Sequence, residues 1–161
     1  KLLHAAGAET AGRVSQALQA RDLGIHLGDA RVPLGQGVAV RHHAIADLLA
    51  TDAAGRLTVI EIKTSEDIHL PLQALDYWMR VEHHARQGDF AAKGYFPGIP
   101  LRREPPKLIL AAPALGFHPT TETILRFFSS NISVERLGIG LEWRQKLRVL
   151  FRYRGAERPG E

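Results

Sequence analysis

The chain contains no cysteine, which excludes disulfides and thiolate metal sites and fits a reducing compartment. It also lacks an apolar run of bilayer-spanning length. Every hydrophobic stretch is broken by Arg, Glu or Pro well short of that, so no membrane span is expected. No charged-then-apolar leader with a small-residue cleavage site is read at the start, and a cytoplasmic location is the expectation. Internal repeats and low-complexity tracts are missing too, so nothing points to a solenoid or a disordered linker.

What remains is 161 residues, 45% hydrophobic and 24% charged. That reads as one soluble domain over 1–161, long enough to bury a core. The chain begins at Lys1 rather than Met, so a longer parent protein with a flanking domain is compatible with it. The formal net charge is +4, and the excess rests more on Arg than on Lys. Guanidinium is the better phosphate fork, so the balance leans toward a polyanionic partner, although the same charge also keeps a small domain soluble.

Along the chain, Glu9 to Arg21 reads as a helix, Ile25 to Leu34 as a poor strand and Val38 to Thr51 as a strand. The segment Arg56 to Thr64 alternates cleanly and is the clearest strand. A helix carrying Pro71 in its first turn runs on to Gly88. Gly94 to Pro106, with four prolines and two glycines, is a loop excursion. Lys107 to Ala112 is a short buried strand. A helix opens at Pro119-Thr120-Thr121, carries Ile124, Leu125 and Phe128 inward and ends near Ser130. Ile132 to Ile139 and Gln145 to Tyr153 close the pattern as strands. The order predicts an α/β fold, a mixed β-sheet flanked by helices.

Chemistry concentrates in one hairpin. Alternation puts Leu57, Val59, Glu61 and Lys63 on one face of their strand and Thr58, Ile60, Ile62 and Thr64 on the other. Charges in so apolar a strand are costly without partners. The loop Ala53-Ala54-Gly55 suits a type I turn whose last residue takes positive φ, which Gly55 supplies. With Asp52 opposite Arg56, Leu49 faces Val59, Asp47 faces Glu61 and Ile45 faces Lys63. A loop one residue shorter or longer would put Asp47 and Glu61 on opposite faces. Directly opposed residues stand about 4.5–5.5 Å apart at Cβ, where like charges repel. Two facing carboxylates make sense if a divalent cation bridges them, and magnesium prefers such oxygen ligands. Lys63 adds a fixed positive charge on the same face, suited to holding a water or offsetting phosphate charge. The bland alternative is an ordinary hairpin with a Glu–Lys surface pair.

Asp47 followed after thirteen residues by Glu61-Ile62-Lys63 resembles the signature of the PD-(D/E)xK nuclease superfamily. The stretch IADLLATDAAGRLTVIEIKTSED with LPLQALDYW is similar to its recombination and repair branch. The likeness covers about Val38 to His84 and, more loosely, the strand-helix-strand segment from Lys107. It departs from the pattern in having Ala46 where a proline precedes the first acid. The resemblance implies a restriction-endonuclease-like fold. It also implies Mg2+ or Mn2+ held by Asp47, Glu61 and the backbone carbonyl of Ile62, with Lys63 assisting the attacking water. Gln73 with Tyr77 resembles a Gln-xxx-Tyr element of exonuclease relatives, with the Gln near the site and the Tyr near substrate.

Other residues carry two readings each. Gln73, Tyr77, Arg80 and His84 form one polar helix stripe, with Leu72, Leu75 and Met79 on the opposite, sheet-packing side. Tyr77 and Arg80 are then nucleic-acid contacts or parts of an exposed amphipathic face. Glu9 is an extra acidic metal ligand or a solvated carboxylate. His43 shares the face of Asp47 and either assists near the scissile phosphate or covers the sheet edge. The arginines of the last strand either track a phosphate backbone or form a charged edge that discourages strand pairing. The expectation is a magnesium-dependent deoxyribonuclease acting on DNA in repair, recombination or defence, compatible with a homodimer. The alternative is a catalytically silent domain of the same fold that binds nucleic acid or a protein partner.

Overall fold

A computed structural model describes the backbone of residues 25–27 and the full structure of residues 48–142 and 148–157. Within these lie β1 (Ile25–Leu27), β2 (Leu48–Asp52), β3 (Leu57–Ile62), α1 (Leu70–Gln87), α2 (Asp89–Ala92), β4 (Lys107–Pro113), α3 (Thr121–Leu125), β5 (Ser133–Ile139) and β6 (Val149–Arg154). The strands form a six-stranded mixed sheet in the order β1-β2-β3-β4-β5-β6, with β1 a three-residue edge. The β3–β4 and β4–β5 pairs are parallel and the other three antiparallel. Parallel neighbours need a crossover, and α1 and α3 fall in those two connections.

Because inner parallel strands are covered on both faces, they read as near-continuous apolar runs rather than alternating ones. β3 is buried along its whole length and β4 at all but its first residue. One face carries Leu49, Leu57, Val59, Leu108 and Leu110, packed under Leu70, Ala74, Trp78 and Val81 of α1. The other carries Leu48, Ala50, Ile60, Ile62, Ile109 and Leu137 in a second cluster.

The β2–β3 turn has the expected geometry. Gly55 takes φ +82°, its N–H donates to the Asp52 carbonyl at 3.0 Å, and the Asp52 N–H donates to the Arg56 carbonyl at 3.0 Å. The Asp52 carboxylate accepts from the N–H groups of Ala54 and Arg56, both at 2.9 Å. Short polar side chains stabilise turns through such local bonds. The register that follows is Leu48↔Ile60, Leu49↔Val59, Ala50↔Thr58 and Thr51↔Leu57.

Two expectations need correction. The inward face of α1 is Leu70, Ala74, Tyr77, Trp78 and Val81, while Leu72 and Met79 are 53% and 52% exposed. Both sets have helical spacing, but burying Tyr77 and Trp78 removes more apolar surface than burying Leu72 and Met79. Trp78 also finds a partner inside, donating from Nε1 to the Pro106 carbonyl at 2.7 Å. α3 stops at Leu125 rather than near Ser130, and Phe127 is 85% exposed. The Ser129-Ser130-Asn131 run that follows favours turns over helix. At the last strand, Arg152 of β6 donates from Nε to Glu135 at 2.6 Å, and Arg148, just before it, from Nε to Glu142 at 2.8 Å. β6 is an edge strand, and this pairing fits the charged-edge reading. The expected helix over Glu9 to Arg21 and the Val38 to Asp47 part of the expected strand lie outside the described residues.

α1 ends at Gly88, whose φ of +76° makes a left-handed cap. Just beyond, His84 Nδ1 stands 2.6 Å from Asp89 Oδ2. That hydrogen bond, chiefly, holds the Asp89 carboxyl below its ordinary value, with the charges of His84 and Lys93 acting the same way. A depressed carboxyl contributes stability above its unfolded value and loses it as pH falls through the folded one. The expected NMR titration midpoint of Asp89 is therefore low, and His84→Ala is expected to return it to the ordinary aspartate range. A midpoint that ignores His84→Ala would remove this pair as the cause.

Candidate active site

The site assembles where β3 runs out and the chain turns toward α1. Glu61 is the last charged position inside β3 and is 1% exposed. Its flanks Ile60 and Ile62 face the opposite cluster, so alternation sends Glu61 to the α1 side of the sheet, beside Leu110 of β4 in the parallel register. A carboxylate at this depth is expensive unless a charge or donor answers it. Lys63 answers it, with Nζ 3.4 Å from Glu61 Oε1. The Lys63 backbone stays in line with the sheet, its N–H donating to the Ala111 carbonyl at 2.9 Å.

α1 fixes the other end of Lys63. Nζ donates to Gln73 Oε1 at 2.7 Å, and Gln73 Nε2 donates to Tyr77 Oη at 3.1 Å. An ammonium has only donors, so the amide must turn its oxygen to Lys63, which leaves its NH2 for the tyrosine hydroxyl. The i, i+4 spacing of Gln73 and Tyr77 on α1 allows that bond. Asp67 completes the socket, with Oδ2 3.6 Å from Lys63 Nζ, while its Oδ1 accepts the His69 N–H at 2.8 Å. The ammonium therefore sits among Glu61, Asp67 and Gln73 on a side chain that is 22% exposed, a fixed cation at the rim of the sheet that can meet an anionic ligand.

Of the residues singled out from sequence, Glu61, Lys63 and Gln73 stand in this one connected group. Tyr77 joins it through its hydroxyl, at 5% exposure. Ile62 is buried with its side chain in the opposite cluster. Arg80 lies further along α1 and pairs with Asp76, Nε to Oδ2 at 3.0 Å. Asp47, Glu9 and His43 lie outside the described residues. Asp67 was missed, although its signal was present: an acid four residues after Lys63, just ahead of the helix. Also missed was the loop after β4, which reaches the β3 end, with His118 Nε2 3.8 Å from Glu66 Oε1. A contact between two loops so far apart in the chain leaves no local pattern.

For a metal, the donor chemistry is the available test. A hard divalent cation takes carboxylate and carbonyl oxygens, and the buried Glu61 carboxylate is a donor of that kind. Among the described residues no group of three or more His, Asp or Glu side chains could hold a metal ion, so these residues supply one fitting ligand without completing a set. Comparison with protein-family models, curated proteins and solved structures gives no match. Among the described residues no helix is long and apolar enough to cross a membrane.

Proposed function

We propose that this domain is a magnesium- or manganese-dependent nuclease of the PD-(D/E)xK superfamily, with a restriction-endonuclease-like fold, that hydrolyses phosphodiester bonds in DNA. One observation carries the reading: a buried Glu61 carboxylate beside a Lys63 ammonium that Gln73 holds in place. A surface Glu–Lys pair would have neither the burial nor the third residue. The mixed α/β sheet supports it as a scaffold, since Glu61 and Lys63 come from a rigid inner strand and Gln73 from the helix packed on it.

In this reading Asp47, Glu61 and the Ile62 carbonyl would hold the metal, which when bound supplies Lewis-acid charge to the phosphoryl group. Lys63 orients the attacking water and offsets negative charge gathering on the phosphate oxygens. Gln73 is a positioning residue, because its Oε1 sets where the ammonium points. Asp67 draws Lys63 from the other side, with Oδ2 3.6 Å from Nζ.

The test is cleavage of end-labelled single-stranded, duplex and branched DNA with Mg2+ or Mn2+, each with an EDTA control. Metal-dependent cutting supports the proposal, and the form cut names the substrate class. Binding of DNA with no cutting under any metal would put a silent nucleic-acid-binding domain in its place.

A further inference from the structure

At the other end of α1 lies a cleft of about 510 Å3, within the roughly 300–1,000 Å3 of small-ligand sites. Its apolar lining is Ala85, Ala91 and Leu101, laid over the core residues Leu57 and Phe90, which are 1% and 2% exposed. Its walls carry guanidinium groups from two separate segments, Arg86 from the last turn of α1 and Arg102 with Arg103 from the 94–106 excursion. We infer that this cleft binds a nucleotide, its phosphate on Arg102 and Arg103 and its base against Ala85, Ala91 and Leu101.

The arginines are presented on a fixed backbone. The Arg102 N–H donates to the Gly55 carbonyl at 2.9 Å, and Arg56 Nε donates to the Pro105 carbonyl at 2.8 Å. Trp78 closes on Pro106 from the helix side. A preorganised donor loses less freedom when it meets its ligand. Two carboxylates stand nearby and leave most of this donor capacity open. Glu82 accepts from Arg86 through Nε at 2.6 Å, and Glu104 Oε1 stands 3.3 Å from Arg102 Nη2. Arg86 and Arg102 keep 71% and 51% of their side-chain surface exposed. Arg103 forms no ion pair with a described residue within 4.0 Å. A carboxylate ligand fills one guanidinium fork, whereas a phosphate has oxygens enough for two, and neither would use the apolar lining without an attached base.

This site is separate from the Glu61–Lys63 group, so the two can be tested apart. Isothermal titration of the intact protein with adenosine monophosphate, adenosine and inorganic phosphate reads the pocket directly. Fluorescence anisotropy with a labelled single-stranded oligonucleotide reads the same chemistry presented by a strand. Binding of the monophosphate, tighter than adenosine or phosphate alone, is the expected result. Arg102→Ala with Arg103→Ala is expected to weaken it at least about 30-fold, since each charge-assisted contact is worth roughly tenfold or more. Arg103→Lys keeps the charge, loses the fork and should cost several-fold, which guards against a folding defect in the double variant. Glu61→Gln is expected to leave this binding unchanged. Oligonucleotide binding alone, lost in the double variant, assigns the pocket to a strand. Monophosphate binding, lost in the same variant, assigns it to a free nucleotide. Neither probe binding, or both binding the double variant as well as the parent, overturns the inference.

Discussion

Glu61→Gln is expected to lower metal-dependent DNA cleavage by roughly a thousandfold or more, the scale of losing a group that acts on developing charge. The substitution keeps the shape of the side chain and removes its charge. Lys63 retains Gln73 at 2.7 Å and Asp67 at 3.6 Å as acceptors, so the ammonium is not stranded. The melting temperature should therefore stay within a few degrees, on the order of 1 kcal/mol. Lys63→Ala should also abolish cutting, and it differs in one readout. It leaves a buried Glu61 without its cation, so it should melt distinctly lower than Glu61→Gln. Cutting that survives both substitutions at the parent's rate would place the activity elsewhere or deny it to this domain.

Gly55→Ala should be strongly damaging for the addition of a single methyl group. Gly55 sits at φ +82°, and a Cβ there would lie 2.1 Å from the Pro100 carbonyl oxygen. The left-handed backbone alone costs about 1–2 kcal/mol for an L side chain. The collision is with backbone held by its own hydrogen bonds, so no flexible side chain can yield. A combined cost of about 3 kcal/mol or more corresponds to a melting point lower by roughly 6–12 °C in a domain of this size. Gly88→Ala is the matched control, with φ +76° and no heavy atom within 4 Å of the new Cβ. It should show the backbone cost alone. Equal losses at the two glycines would mean that the approach of Pro100 contributes nothing.

The hairpin was legible because its determinants are local. Ala53-Ala54-Gly55 between Asp52 and Arg56 admits few turns, and one residue of slip would reverse every side chain. The α1 boundaries were legible for the same reason, with Pro71 in the first turn and Gly88 as the cap. The face of α1 was not. Leu72 and Met79 compete with Leu70, Ala74, Tyr77, Trp78 and Val81 at equally good helical spacing, while Leu75 is partly buried against the core as expected. What decides is the surface across from the helix, which the helix sequence does not contain. The same holds for Arg136, a charged residue 4% exposed on β5. It donates to Glu122 at 3.0 Å and to the Gly155 carbonyl at 3.0 Å, partners fourteen and nineteen residues away. In the candidate site, Glu61, Lys63 and Gln73 lie within thirteen residues and could be read together, whereas the loop bearing His118 could not.

The bond from the Arg102 N–H to the Gly55 carbonyl joins a loop without regular structure to the turn that sets the β2–β3 register. An amide in a proline-rich excursion would ordinarily exchange with solvent at the pace of loop motion. Arg102 cannot do so without separating from Gly55, a residue wedged against Pro100. Its exchange therefore requires the excursion to lift off the β2–β3 turn. A deuterium clock on this single amide would time the release of the excursion from the turn that leads into the strand carrying Glu61.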